Sequence, residues 1–171
     1  MRHLSTALLL VAALGVAACN NPDRYGANGG AGGANGGIGT SALGDVNDPN
    51  SIAYFNQAVG DRVFFAVDQS TLSPEAQATL TQQAQWLNQH PDYAVIIEGH
   101  ADEQGTREYN LALGARRANA AEQFLVAHGV PASRLKTISY GKERPVATCS
   151  NESCYSQNRR AVTVLSMGAG S

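Results

Sequence analysis

The side chains best suited to gripping a ligand are one guanidinium and two carboxylates. Arg117 sits in a segment where Leu113, Ala120, Ala121 and Phe124 recur near the helical period. It lies four residues after Leu113 and seven before Phe124, so it projects from the apolar side of that helix. Arginine is seldom buried without a partner, and an unpaired buried guanidinium is costly. Arg117 therefore needs an anion. One source is internal, a structural ion pair with Asp68, Asp102 or Glu103. The other is a ligand carboxylate gripped by both arms of the planar fork. Spacing leaves both open, and the aliphatic stem allows Arg117 to snorkel from the stripe edge. Arg116, one step round, reads as a solvated charge. Asp68 and Asp102 each follow a strand-like run. Two carboxylates beside the Arg117 helix would make a pocket with both signs of charge. Such a pocket suits a zwitterion, with an amino group at Asp102 and a carboxylate at Arg117.

Other chemistries find less support. The chain has no Gly-x-Ser-x-Gly elbow and no His-Glu-x-x-His. Its four histidines are scattered, and His100-Ala101-Asp102 lacks the further ligands a metal centre needs. The expectation is a protein that is not an enzyme and uses no metal or cofactor. A formal net charge of -2 argues against nucleic acid or a polybasic membrane surface as partner. With 171 residues, 43% of them hydrophobic, the chain can build one ordinary domain.

The elements that must position these residues follow from pattern. Arg2-His3, an apolar run from Leu4 to Val16, and small Ala17-Ala18 have the layout of a secretory signal peptide, residues 1–18. Val16-Ala17-Ala18-Cys19 resembles a lipoprotein box, in which Cys19 is the lipidation site and the mature N-terminus. Asn20 after the cysteine, rather than Asp, favours the outer membrane over the inner by the same resemblance. Nine of the 18 glycines fall between Gly26 and Gly44, so residues 19–50 are expected to be a disordered Gly-rich tether. A chain of that length spans roughly 30 Å on average and about 100 Å when stretched. Residues 51–171 form the domain. Arg62 to Val67 reads as a strand. Ser73-Pro74-Glu75 opens a helix with the stripe Ala76, Leu80, Ala84 and Leu87, stopped at His90-Pro91. Tyr93 to Glu98 is a second strand, and Gly99 to Arg107 a polar loop. A helix from Glu108 to His128 is closed by Gly129 and Pro131. Lys136 to Tyr140 and Arg160 to Met167 are strands joined by a long polar loop. The order β-α-β-α-β-β implies an α+β fold, a mixed sheet with helices packed on one face.

The run Gly99 to Ala118, GHADEQGTREYNLALGARRA, resembles the signature of OmpA-like peptidoglycan-binding domains. Val63 to Asp68, Ile138 to Pro145 and Gln157 to Val162 support it, and the match covers nearly all of the chain after the tether. The resemblance implies a non-catalytic grip on the diaminopimelate residue of the peptidoglycan stem. Asp102 would take the ammonium and Arg117 a carboxylate. Val67, Asp68 and Leu113 also fall on ligand-lining positions, Val67 where relatives often carry an aromatic. Asn110 reads first as helix-entry hydrogen bonding, and Arg159-Arg160 as charges beside the site. Lipid-anchored members imply further partners, the Tol components of envelope integrity and cell division, chiefly the periplasmic propeller protein TolB. Acylated Cys19 would tie the outer membrane to the wall. The rival reading is a periplasmic protein-docking lipoprotein whose Asp102 and Arg117 are an internal ion pair. In an oxidising periplasm, Cys149 and Cys154 read as a disulfide that pins the last loop, contributing about 2 kcal/mol in the chain-entropy model.

Overall fold

The structure, a computed structural model, describes residues 43–167. The expected signal peptide, Cys19 and the tether up to residue 42 lie outside the described residues. The element order is α1 (Ile52–Tyr54), a π-helix (Phe55–Gly60), β1 (Arg62–Phe64), α2 (Pro74–Gln89), β2 (Tyr93–His100), α3 (Arg107–Ala127), a 3-10 turn (Ala132–Arg134), β3 (Leu135–Gly141), α4 (Glu152–Asn158) and β4 (Arg160–Met167). The four strands form one sheet in the order β1-β4-β2-β3. β2 runs parallel to β3, as the intervening helix α3 requires, while β4 lies antiparallel to both β1 and β2. The sheet is mixed, as expected.

Alternation along the strands selects the covered face. Val95, Ile97, Ala161 and Leu165 are buried in one core with Ala76, Leu80, Ala84 and Leu87 of α2 and Ala118, Ala121 and Leu125 of α3. Phe64, Ile96, Ile138 and Val164 stand on the open face and are exposed. Helix α2 begins as its sequence directs: Ser73 Oγ accepts the Ala76 N–H and Pro74 occupies the first turn. Its buried Gln83 donates to the Gly60 carbonyl at 2.6 Å and accepts from the Thr163 hydroxyl at 2.7 Å, tying helix to sheet.

Four expectations need correction. The first strand is shorter, ending at Phe64, because the chain then leaves β4 for the site loop. The inward stripe of α3 is Leu113, Gly114, Arg117, Ala118, Ala121 and Leu125, whereas Ala120 and Phe124 lie at its edge. The polar loop before β4 contains a helix, α4, capped by Asn151, whose side chain accepts the Ser153 N–H. Finally, Leu43 to Asn50, counted with the tether, is bound to the domain. The Trp86 indole donates to the Pro49 carbonyl at 2.8 Å and the Tyr93 hydroxyl to the Asn50 carbonyl at 2.9 Å.

Two glycines decide how closely α3 approaches the sheet. A Cβ on Gly99 would overlap the Gly114 carbonyl, and one on Gly114 would strike the Ser139 hydroxyl and, at 2.8 Å, the Gly99 carbonyl oxygen. Helix backbone therefore rests directly on strand backbone where β2 leads into the loop bearing Asp102.

Candidate functional site

The site is built where β1 and β2 end and α3 begins. Beyond β1, the backbone turns at Asp68, whose φ of 56° lies in the left-handed region that Asp tolerates better than most residues. Beyond β2, Ala101-Asp102 leads into a loop held by several hands. Gln104 N–H donates to Asp102 Oδ1 at 3.2 Å, and Asn110 Nδ2 to the Gln104 carbonyl at 2.7 Å. Lys142 Nζ donates to the Gly105 carbonyl at 2.7 Å. Asn110 is thus the helix-entry hydrogen bonder its position suggested, and it is buried. Thr106 caps α3 by accepting the Tyr109 N–H.

These segments enclose a cleft of about 230 Å³ lined by Val67, Asp68, Asp102, Gln104, Gly105, Tyr109, Asn110 and Leu113. Val67, Asp68, Asp102 and Leu113, singled out in the sequence, meet there. Val67 is exposed at the rim, 53% accessible, and supplies an apolar contact without an aromatic ring. Gln104, Gly105 and Tyr109 carried no assigned role in the sequence. Tyr109 could have been found by spacing: it stands four residues before Leu113 and shares its helix face. Its hydroxyl donates to Asp68 Oδ1, and that bond raises the phenol pKa above its ordinary value.

Arg117 is completely buried and is not one of the lining residues. Three carbonyls hold its fork: Nε donates to Gln69 at 2.8 Å, Nη1 to His100 at 2.8 Å and Nη2 to Ala66 at 3.1 Å. Among the described residues it makes no ion pair with a carboxylate. Burial lowers its pKa to about 10, against an upward pull from Asp102 and Asp68. It stays cationic at neutral pH, with one N–H left on each terminal nitrogen.

The expected Asp102–Arg117 pair of the protein-docking reading is therefore absent. Asp102 pairs instead with Arg159, Nη1 to Oδ2 at 3.2 Å, with both side chains nearly buried. Arg159 also donates to the Phe65 carbonyl at 3.1 Å and pairs with Glu152. Sequence reasoning placed Arg159 beside the site but did not find its partners, because 57 residues separate it from Asp102. Cys149 and Cys154 form a disulfide across the start of α4.

His100, two residues before Asp102, is buried against Tyr140 with neither ring nitrogen hydrogen-bonded, Glu98 Oε2 lying 3.6 Å from Nε2. Burial, then Arg160 and Arg144, depress its pKa to about 4. It is neutral at neutral pH. Among the described residues no group of acidic, histidine or cysteine side chains could hold a metal ion.

The OmpA family profile matches residues 64–159, the stretch that carries α2, β2, α3, β3, α4 and the two-aspartate cleft. A peptidoglycan-associated lipoprotein of Mesorhizobium japonicum is 56% identical over 170 residues, covering 96% of this chain and 92% of that protein. One from Agrobacterium fabrum is 54% identical over 163 residues, covering 95% and 88%. The crystal structure of the peptidoglycan-associated lipoprotein from Burkholderia pseudomallei superposes with a TM-score of 0.63 at 41% identity, covering 71% of this chain and 98% of that one. The C-terminal domain of Helicobacter pylori MotB shares the fold alone, with a TM-score of 0.60 at 21% identity over 64% of this chain and 86% of that one. The chain belongs to the OmpA family and, within it, to the peptidoglycan-associated lipoproteins, which are non-catalytic structural proteins of the cell envelope.

Proposed function

We propose that the cleft holds the diaminopimelate residue of a peptidoglycan stem peptide and that the protein thereby ties the outer membrane to the cell wall. The observation that carries this reading is the charge layout. Asp68 and Asp102 wall the cleft, while the guanidinium of Arg117 lies buried behind it, bound to carbonyls and not to an acid. A zwitterion fits that layout, its ammonium at Asp102 and its carboxylate toward the two remaining N–H groups of Arg117. Leu113 and Val67 offer apolar contact to the methylene chain. Each charged hydrogen bond in so shielded a place contributes about 1.5–3 kcal/mol.

Acylated Cys19 supplies the outer-membrane anchor in this reading, and the glycine-rich segment supplies reach. Reversible binding suits a link that must be remade as the wall grows. The Tol components, chiefly TolB, are the further partners, competing for the same face.

Pull-down of the full-length chain with purified sacculi tests the proposal. The wild type should co-sediment and Asp102→Asn should not, while both melt at similar temperatures because Glu152 still pairs with Arg159. Equal co-sedimentation would remove the cleft from the function. A large fall in melting temperature would mark Asp102 as structural.

A further inference from the structure

This inference rests on the stem-peptide reading and concerns how Asp102 stays able to hold a cation. Asp102 already has an internal cationic partner, Arg159, 3.2 Å away. A carboxylate fully neutralised by a guanidinium has little charge left for a guest ammonium. Arg159, however, is shared. Its Nη1 donates to Glu152 Oε2 at 3.2 Å and its Nη2 to Glu152 Oε1. Arg159 is only 5% exposed at its side chain, whereas Glu152 is 65% exposed. The second carboxylate thus reaches the buried cation from the solvent side. In this three-membered group Asp102 and Glu152 outnumber Arg159 by one charge; without Glu152 the pair would be balanced.

Glu152 is the first residue of α4. The Cys149–Cys154 disulfide closes across the Asn151 cap just before it. The same helix reaches the aspartate loop a second time, where the Tyr155 hydroxyl donates to Glu103 Oε1 at 3.0 Å. We propose that Glu152 is a positioning residue: by sharing the Arg159 guanidinium it leaves Asp102 less fully compensated and correctly turned for a ligand ammonium, and the Cys149–Cys154 disulfide keeps Glu152 in place.

Calorimetry on the full-length chain tests this. One probe is N-acetylated L-Ala–D-Glu–meso-diaminopimelate. The other is the same peptide with its remaining amine also acetylated. Glu152→Gln should weaken binding of the free-amine peptide about tenfold. The fully acetylated peptide, which lacks the ammonium, should bind wild type and variant equally weakly, and Glu152→Asp should recover part of the loss. Reducing the disulfide should repeat the effect. Equal affinity of wild type and Glu152→Gln for the free-amine peptide overturns the proposal, as does an equal loss for both peptides. Hydrogen exchange separates this outcome from failure of the stem-peptide reading. In ligand-free protein the Gln104 amide, bonded to Asp102 Oδ1, should exchange faster in Glu152→Gln; an unchanged rate contradicts the positioning role. If wild type binds neither peptide, the stem-peptide reading fails, and with it the role of Glu152 in binding.

Discussion

At the scale of single residues, two buried bases define the chemistry beneath the cleft. Arg117 joins three separate stretches of backbone, at Ala66, Gln69 and His100. A lysine ammonium cannot reach three carbonyls arranged around a planar fork. Arg117→Lys should therefore cost stability, about 2 kcal/mol in urea denaturation, as well as sacculus binding. Native stability with lost binding would mean that the carbonyl bonds contribute little. His100 has a folded pKa near 4, below its ordinary 6.5. The unfolded chain binds that proton more readily, so stability from this group is full above pH 6.5 and is lost as pH falls toward 4. The loss amounts to roughly 3 kcal/mol across that window. Melting curves from pH 7 to pH 4 should show it, and His100→Leu should flatten the slope. An unchanged slope would assign acid sensitivity to other groups.

At the scale of elements, the site depends on α3 lying against β2 with no side chain between them. Gly114→Ala would push a methyl into the Ser139 hydroxyl and the Gly99 carbonyl. Overpacking of this kind costs about 1–3 kcal/mol, read as a lower urea midpoint, and it should shift Asp102 relative to α3 and weaken binding too. A variant as stable as wild type would show that the helix can lift without cost. The long elements were legible because strong signals mark them: Ser73-Pro74-Glu75 at the start of α2, His90-Pro91 at its end, and Gly129 with Pro131 after α3. The Thr106 cap of α3 reads in the sequence as part of a polar loop. Helix α4 was not legible. Its residues, Glu152 to Asn158, include serines and an asparagine that favour caps and turns over helix interiors. Its Asn151 cap, the disulfide and the Arg159 pair set it instead.

At the scale of the whole molecule, the proposed function assigns the lipid anchor and the domain separate tasks, joined by a glycine-rich segment. Cys19→Ser should move the protein from the membrane fraction to the soluble periplasm and leave the melting of the domain unchanged. Continued membrane retention would point to another anchor. What the sequence determined by itself were the features written in local pattern: strand and helix order, and the presence of an arginine on an apolar helix face beside two aspartates. That arginine looked as though it needed a carboxylate because only side chains can be enumerated along a sequence. The tertiary structure decided what spacing could not, since folding brought three backbone carbonyls to Arg117 and delivered Arg159 to Asp102 from 57 residues away. Pairing across such distances is set by strand order and by the contact of Gly99 with Gly114, which no local spacing encodes.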